Sequence, residues 1–240
     1  MRTSNPVLKD DAFISRSQTA SDGIMTVNGT INKTAILLCL CVTSAYYTWN
    51  MPGSQNWIFP AAIGGLIFAL ITIFKKTWAP FTAPIYALIE GVVLGAISVM
   101  YESQMPGIVF QAISLTFATM ALMLFLFRYN IIRVTEKLRM GITMATGAIF
   151  LVYMVSFVMG FFGASVPMIH GSGPIGIGFS LLVVGIAAFN LLLDFDFIQK
   201  ASESRQAPKY MEWVGAFGLM VTLVWLYLEI LRLLGKLNRR

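Results

Sequence analysis

The chain has 240 residues, of which 57% are hydrophobic and only 12% charged, and its mean hydropathy is +0.75. Soluble globular domains carry roughly 25% charged residues, so this composition excludes a water-soluble fold and leaves no length for a separate soluble domain. The net charge of +6 comes with no basic face interleaved with aromatics, which excludes nucleic acid as a partner.

Residues 1–33 are polar and rich in Ser, Thr, Asn and Asp. No basic stretch is followed directly by an apolar one, so a cleavable signal peptide is not indicated. The segment reads as a flexible cytoplasmic tail, ordered at most near 27–31 where it meets the first helix. Seven stretches then approach the roughly 20 apolar residues that a hydrocarbon core of about 30 Å requires. They are 34–47 (which Trp49 and Asn50 extend), 57–74, 80–101, 107–127, 140–162, 174–193 and 213–234. The predicted fold class is all-α, a polytopic bundle of seven transmembrane helices over 34–240.

Lys and Arg mark the side of each connection. Arg2, Lys9, Arg16 and Lys33 lie in the tail, Lys75 and Lys76 after the second span, Arg128, Arg133, Lys137 and Arg139 after the fourth, and Lys200, Arg205 and Lys209 after the sixth. The alternate loops, 51–56, 102–106 and 163–173, hold none. Thirteen against none predicts a cytoplasmic N-terminus. Arg232, Lys236, Arg239 and Arg240 oppose the pattern if the last helix crosses, so it either crosses and is held by the bundle or turns back.

Ionisable groups inside the spans are costly, which makes each a candidate. Glu90 lies midway along the third span, with Gly91 and Gly95 at a spacing that admits a close helix neighbour; it serves either function or packing. Glu229 precedes Arg232 by three residues, a spacing at which the two side chains meet on one helix face. At 1.5 Å per residue Glu90 and Glu229 fall at comparable depths, so Glu90, Glu229 and Arg232 are expected to form one buried polar cluster if their helices adjoin. Asp194 and Asp196 close the sixth span. Two residues give about 200° of rotation, so one faces the bundle and the other the loop near Lys200 or Lys209. Glu212 starts the last span at the same level, and an Asp–Glu pair across the two helix ends is placed to share a proton; the alternative is a hydrated terminus whose acids bond loop cations.

Cys39 and Cys41 point to different sides of one helix, and His170, the only histidine, lies in a loop. Glycine-rich 170–178 lacks the Lys-Ser/Thr of a phosphate cradle and reads as a turn before close helix packing. No Gly-x-Gly-Asp, no His-Glu-x-x-His and no intramembrane Ser/His pair occurs, so the chain is not expected to be an enzyme and no cofactor or bound metal is expected.

Four strings carry a resemblance. They are Ala83-Pro-Ile-Tyr-Ala-Leu-Ile-Glu90-Gly-Val-Val-Leu-Gly95, Gly173-Pro-Ile-Gly-Ile-Gly178, Asp194-Phe-Asp-Phe-Ile-Gln199, and Lys209-Tyr-Met-Glu-Trp-Val-Gly-Ala-Phe-Gly-Leu219 continued by Leu226-Tyr-Leu-Glu-Ile-Leu-Arg232. Together they resemble the Bax inhibitor-1/YccA family (the transmembrane Bax inhibitor motif proteins) over 27–237, and Arg2-Thr-Ser-Asn-Pro6 resembles its bacterial subgroup. The resemblance implies a seven-helix bundle with the last helix central, surrounded by the other six. It also implies a pH-sensitive calcium leak controlled by aspartates on the sixth and seventh helices.

Asp196 matches the first aspartate, whereas the second falls on Thr222, which has no titrating carboxylate. The two-acid gate is therefore not carried over intact. Asp194 or Glu212 supplies the missing acid, or Asp196 acts alone, with Asp194 as the loop-side or substitute acid. Calcium favours six to eight oxygen ligands, so one Asp, a Thr hydroxyl and carbonyls would bind it weakly, and a proton-responsive leak survives the departure better than calcium selectivity. The family also implies an alternative, a regulatory interaction protein modulating a membrane-anchored AAA protease through the polar tail. Expected partners are membrane lipids, calcium or protons, and such a protease, at a bacterial inner membrane.

Overall fold

The computed structural model describes residues 23–162, 171 and 173–239; His170 and most of the tail lie outside them. Seven long helices follow one another: α1 (Val27–Trp49), α2 (Ile58–Phe74), α3 (Ala79–Gln104), α4 (Ile108–Arg128), α5 (Glu136–Phe161), α6 (Pro174–Glu203) and α7 (Met211–Asn238), with short 3-10 turns at Ser54–Trp57 and Lys76–Trp78. All but α1 are apolar enough over sufficient length to cross a membrane. Asn28, Thr30, Asn32, Lys33 and Thr34 dilute the first turns of α1, yet its 23 residues make about 35 Å of helix.

Local chemistry sets the boundaries. Thr26 caps α1 by accepting from the Gly29 amide at 3.0 Å, so the helix starts at Val27 and takes in residues expected to belong to the tail. Gly107, at a φ of 85°, turns the chain into α4, whose first amides are satisfied by Glu102: Gly107 N donates at 2.6 Å and Val109 N at 3.1 Å. Thr135 caps α5 through the Leu138 amide. Pro80 and Pro174 occupy the first turns of α3 and α6, where a missing N–H costs nothing.

Helix α7 is the centre. In its most apolar stretch 72% is buried, against 11% for α5 and 17% for α2. It packs directly on α1, α3, α4 and α6 and is reached by α5 through Tyr153, while α2 packs on α3. The registers are plain. Tyr86 meets Phe217 edge-on with ring centres 5.0 Å apart, Ser98 bonds Tyr227 at 2.7 Å and Tyr101 covers Gly235, so α3 and α7 run parallel. Helix α6 runs antiparallel to α7, with Ile198 at Gly215 and Ser180 at Lys236. Helix α1 lies parallel to α3 at the Gly91 and Gly95 notch, where an added Cβ would overlap the carbonyls of Cys41 and Ala45.

Two open points are resolved by these registers. Helix α7 crosses the whole bundle without turning back, and Arg239 ends it by donating to Gln104 at 3.1 Å, at the far end from the first turn of α1. Glu90 does not join Glu229. Since Ser98 faces Tyr227, Glu229 is level with about residue 100, roughly 15 Å along α3 from Glu90.

Candidate functional site

Polar side chains form a column along the seam of α5, α6 and α7, from the N-terminal end of the bundle to the far end. At the first level, Asp196 is held between Arg139 of α5, whose Nη2 donates at 2.6 Å, and Lys200, one turn on, whose Nζ donates at 2.8 Å. Glu136 adds a second carboxylate to Arg139 at 3.4 Å. Asp196 is 8% exposed, while Arg139 and Lys200 keep about half of their side-chain surface in contact with solvent.

The rotation between Asp194 and Asp196 places them as two faces of α6, but in the opposite sense to the sequence reading. Asp194 turns inward and has the Thr222 hydroxyl against its carboxyl, while Asp196 is the acid toward the loop cations. Thr222 also donates to its own helix at Gly218 O, 3.2 Å away. Asp194 Oδ2 is fully buried and has no hydrogen-bond partner among the described residues. One turn before it, Asn190 donates to Thr146 of α5 at 2.8 Å and to the Ile186 carbonyl at 2.9 Å.

The next level is a closed triangle. Glu229 Oε1 accepts from Arg232 at 2.6 Å and from the Tyr153 hydroxyl at 2.9 Å, and that hydroxyl accepts from Arg232 at 2.7 Å. The Arg232 guanidinium also lies 5.1 Å from the Tyr153 ring centre. Glu229 is 1% exposed, and its Oε2 is a second buried oxygen without a partner among the described residues. The expected Glu229–Arg232 pair thus forms, with Tyr153 in the place given to Glu90. Lys236, one turn beyond Arg232, ends the column by donating to Ser180 at 2.8 Å and to Gly176 O at 3.0 Å.

Glu90 and Glu212 stand outside the column. Glu90 lies among Tyr86, Cys41 and Gly65, on the side of α3 that faces α1 and α2. Glu212 shares no contact with Asp194 or Asp196. Its fully buried carboxylate accepts from Thr26 N and Thr26 Oγ1, both at 2.9 Å, from Lys209 at 2.8 Å, and from Lys33. Those cations draw it away from the other acids and make it a clamp on the start of α1. Close by, Met25 N donates to Ala207 O at 2.9 Å and Ile24 pairs with Pro208.

Several contributors to the column escaped the sequence reading, among them Arg139, Thr146 and Tyr153 on α5, Asn190 and Ser180 on α6, and Lys236 on α7. A signal existed. Arg139, Thr146 and Tyr153 recur every seven residues, which keeps them on one stripe of α5, and Lys236 continues the face of Glu229 and Arg232.

A family described as Bax inhibitor 1 like matches residues 5–239 of the chain. No curated protein and no solved structure matches it.

Proposed function

The chain belongs to the Bax inhibitor 1 like family, and we propose that this multi-pass membrane protein is a proton-responsive cation leak whose pathway is the polar column and whose controlling acid is Asp194. The observation that carries this reading is the buried Asp194 Oδ2, unpartnered among the described residues and set beside Thr222. A carboxylate in such a place takes up a proton or a cation. One carboxylate and one hydroxyl fall far short of the six to eight oxygens that calcium favours, so a cation such as calcium passes rather than stays. Arg139 and Arg232, on either side, are tied by their ion pairs and by Tyr153 across the seam, and the arrangement described is the closed one.

In this reading the end carrying Lys33, Lys75, Lys76, Arg133, Lys137, Lys200 and Lys209 faces the cytoplasm of a bacterial inner membrane, in keeping with the bias of basic residues toward that side. A proton taken up by the buried Asp194 carboxyl, whose Oδ2 is unpartnered among the described residues, removes its charge from the seam and loosens the packing of α5 there, so the leak rises as pH falls.

Calcium flux into proteoliposomes between about pH 5 and about pH 8 tests this through proton linkage. Asp194→Asn is expected to flatten the pH response. Asp196→Asn is expected to raise the leak at the upper end, because Arg139 loses the ion pair that ties α5 to α6. Asp194→Asn flux that follows the wild type at every pH sinks the proposal.

A further inference from the structure

An apolar cavity of about 380 Å³ lies between α1, α3, α4 and α7, away from the polar column. Helix α1 packs on α3, α6 and α7, and helix α4 packs on those same three; the cavity fills the gap left between α1 and α4. Its inner wall is Leu94, Leu223 and Val224, all buried, and its rim is Val42, Tyr46 and Phe117, all exposed. We propose that the cavity holds one acyl chain of a membrane phospholipid, inserted between α1 and α4 from the leaflet at the far end of the bundle.

Shape, chemistry and position support that occupant. The lining runs from Leu38 to Trp49 on α1 and from Val109 to Phe117 on α4, a length of about 15 Å at 1.5 Å per residue. That is half of a hydrocarbon core of about 30 Å, the depth of one leaflet. Spread over that length, about 380 Å³ leaves a cross-section of about 25 Å², one chain wide when carbons in contact sit about 4 Å apart. A helix does not fit, because a single turn about 10 Å across and 5.4 Å tall already fills about 420 Å³.

The polar atoms of the wall are satisfied internally. Ser98 bonds Tyr227 at 2.7 Å and Thr116 bonds the Ala112 carbonyl at 2.7 Å, so neither water nor a headgroup finds a partner inside. The opening is continuous with the lipid-facing surface of the bundle. Tyr46 and Trp49 stand beside it near the end of α1, where amphipathic rings favour the headgroup level.

The test uses the full chain. A phosphatidylcholine bearing a diazirine at the end of one acyl chain is incorporated with the protein into vesicles and activated by light. Label is expected on Leu94, Leu223 or Val224; label confined to outward residues such as Phe59 or Phe110 overturns the proposal. Native mass spectrometry of the detergent-extracted protein supplies the second measurement. One phospholipid is expected to stay bound to the wild type and to Ile67→Trp on α2, and to fall about tenfold or more in Ile113→Trp, which fills the slot. Ala45→Phe gives the same loss from the opposite wall if Ile113→Trp does not fold. A folded slot variant that retains the adduct, or a second copy of the chain held in its place, also overturns it.

Discussion

Glu212 is completely buried at the first turn of α7, yet its carboxylate is supplied with donors from Thr26, Lys33 and Lys209. Removing one member of a buried ion pair costs about 3–5 kcal/mol because the remaining charge stays desolvated. Lys209 is half-exposed and Lys33 retains some contact with solvent, so Glu212→Gln is expected at the lower end, about 3 kcal/mol. Gly29→Ala attacks the same clamp from the other side, since its new Cβ would overlap the Glu212 carboxylate; overpacking of this kind costs about 1–3 kcal/mol. The double variant should lose less than the two singles added together, as residues in one network do, and thermal unfolding in detergent measures all three. Strict additivity would show that Gly29 and Glu212 act separately. At this scale the sequence is half legible. The 200° between Asp194 and Asp196 follows from helix geometry alone, but both adjoin Phe195, and the inward acid is decided by where Thr222 of α7 lies. That register is a long-range fact with no local sign.

Helix boundaries and contacts were more legible because they rest on short-range chemistry. Gly91 and Gly95 announce a close neighbour by their spacing, and α1 fills the notch, with the Ser44 hydroxyl donating to Leu88 O at 2.7 Å. Gly95→Val is therefore expected to lower stability by about 1–3 kcal/mol, since a Cβ there meets the Ala45 backbone rather than a movable side chain. Gly185→Ala on α6 is the matched contrast. Nothing lies within 4 Å of its added Cβ, and replacing a mid-helix glycine gains about 0.5–1 kcal/mol. Equal melting temperatures for the two variants would remove the notch from the account of why α1 stays on α3. The start of α1 was misjudged for a reason of the same kind. Asn28, Asn32 and Lys33 look like tail, but the Thr26 cap and the Glu212 clamp make them helical.

Across the whole molecule, the seven spans, their order and the central last helix are readable from hydropathy and from the resemblance, whereas the site is not, because it depends on which helices share a level. Glu90 and Glu229 both look like mid-membrane acids, yet the Ser98–Tyr227 register separates them by about 15 Å. What joins the column instead is α5, and its attachment is unlike that of the other helices. Ile142 and Ile149 are buried beside the stripe of Arg139, Thr146 and Tyr153, but most of the helix is exposed, so polar contacts hold it to α6 and α7. Polar contacts of this sort contribute about 0.6 kcal/mol each between membrane helices, far less than the apolar packing that fixes α7. In the proposed leak, helix α5 is then the element that moves, and the pathway opens along its seam. With Cys39 and Cys41 replaced by serine, joining Thr146→Cys to Asn190→Cys with a short bifunctional thiol reagent should abolish the leak at every pH, and cleaving the reagent should restore it. The Thr146–Asn190 contact at 2.8 Å makes these the positions where the tether spans least distance and distorts the closed form least. A tethered protein that leaks as freely as the untethered one would leave α5 static and move the pathway elsewhere.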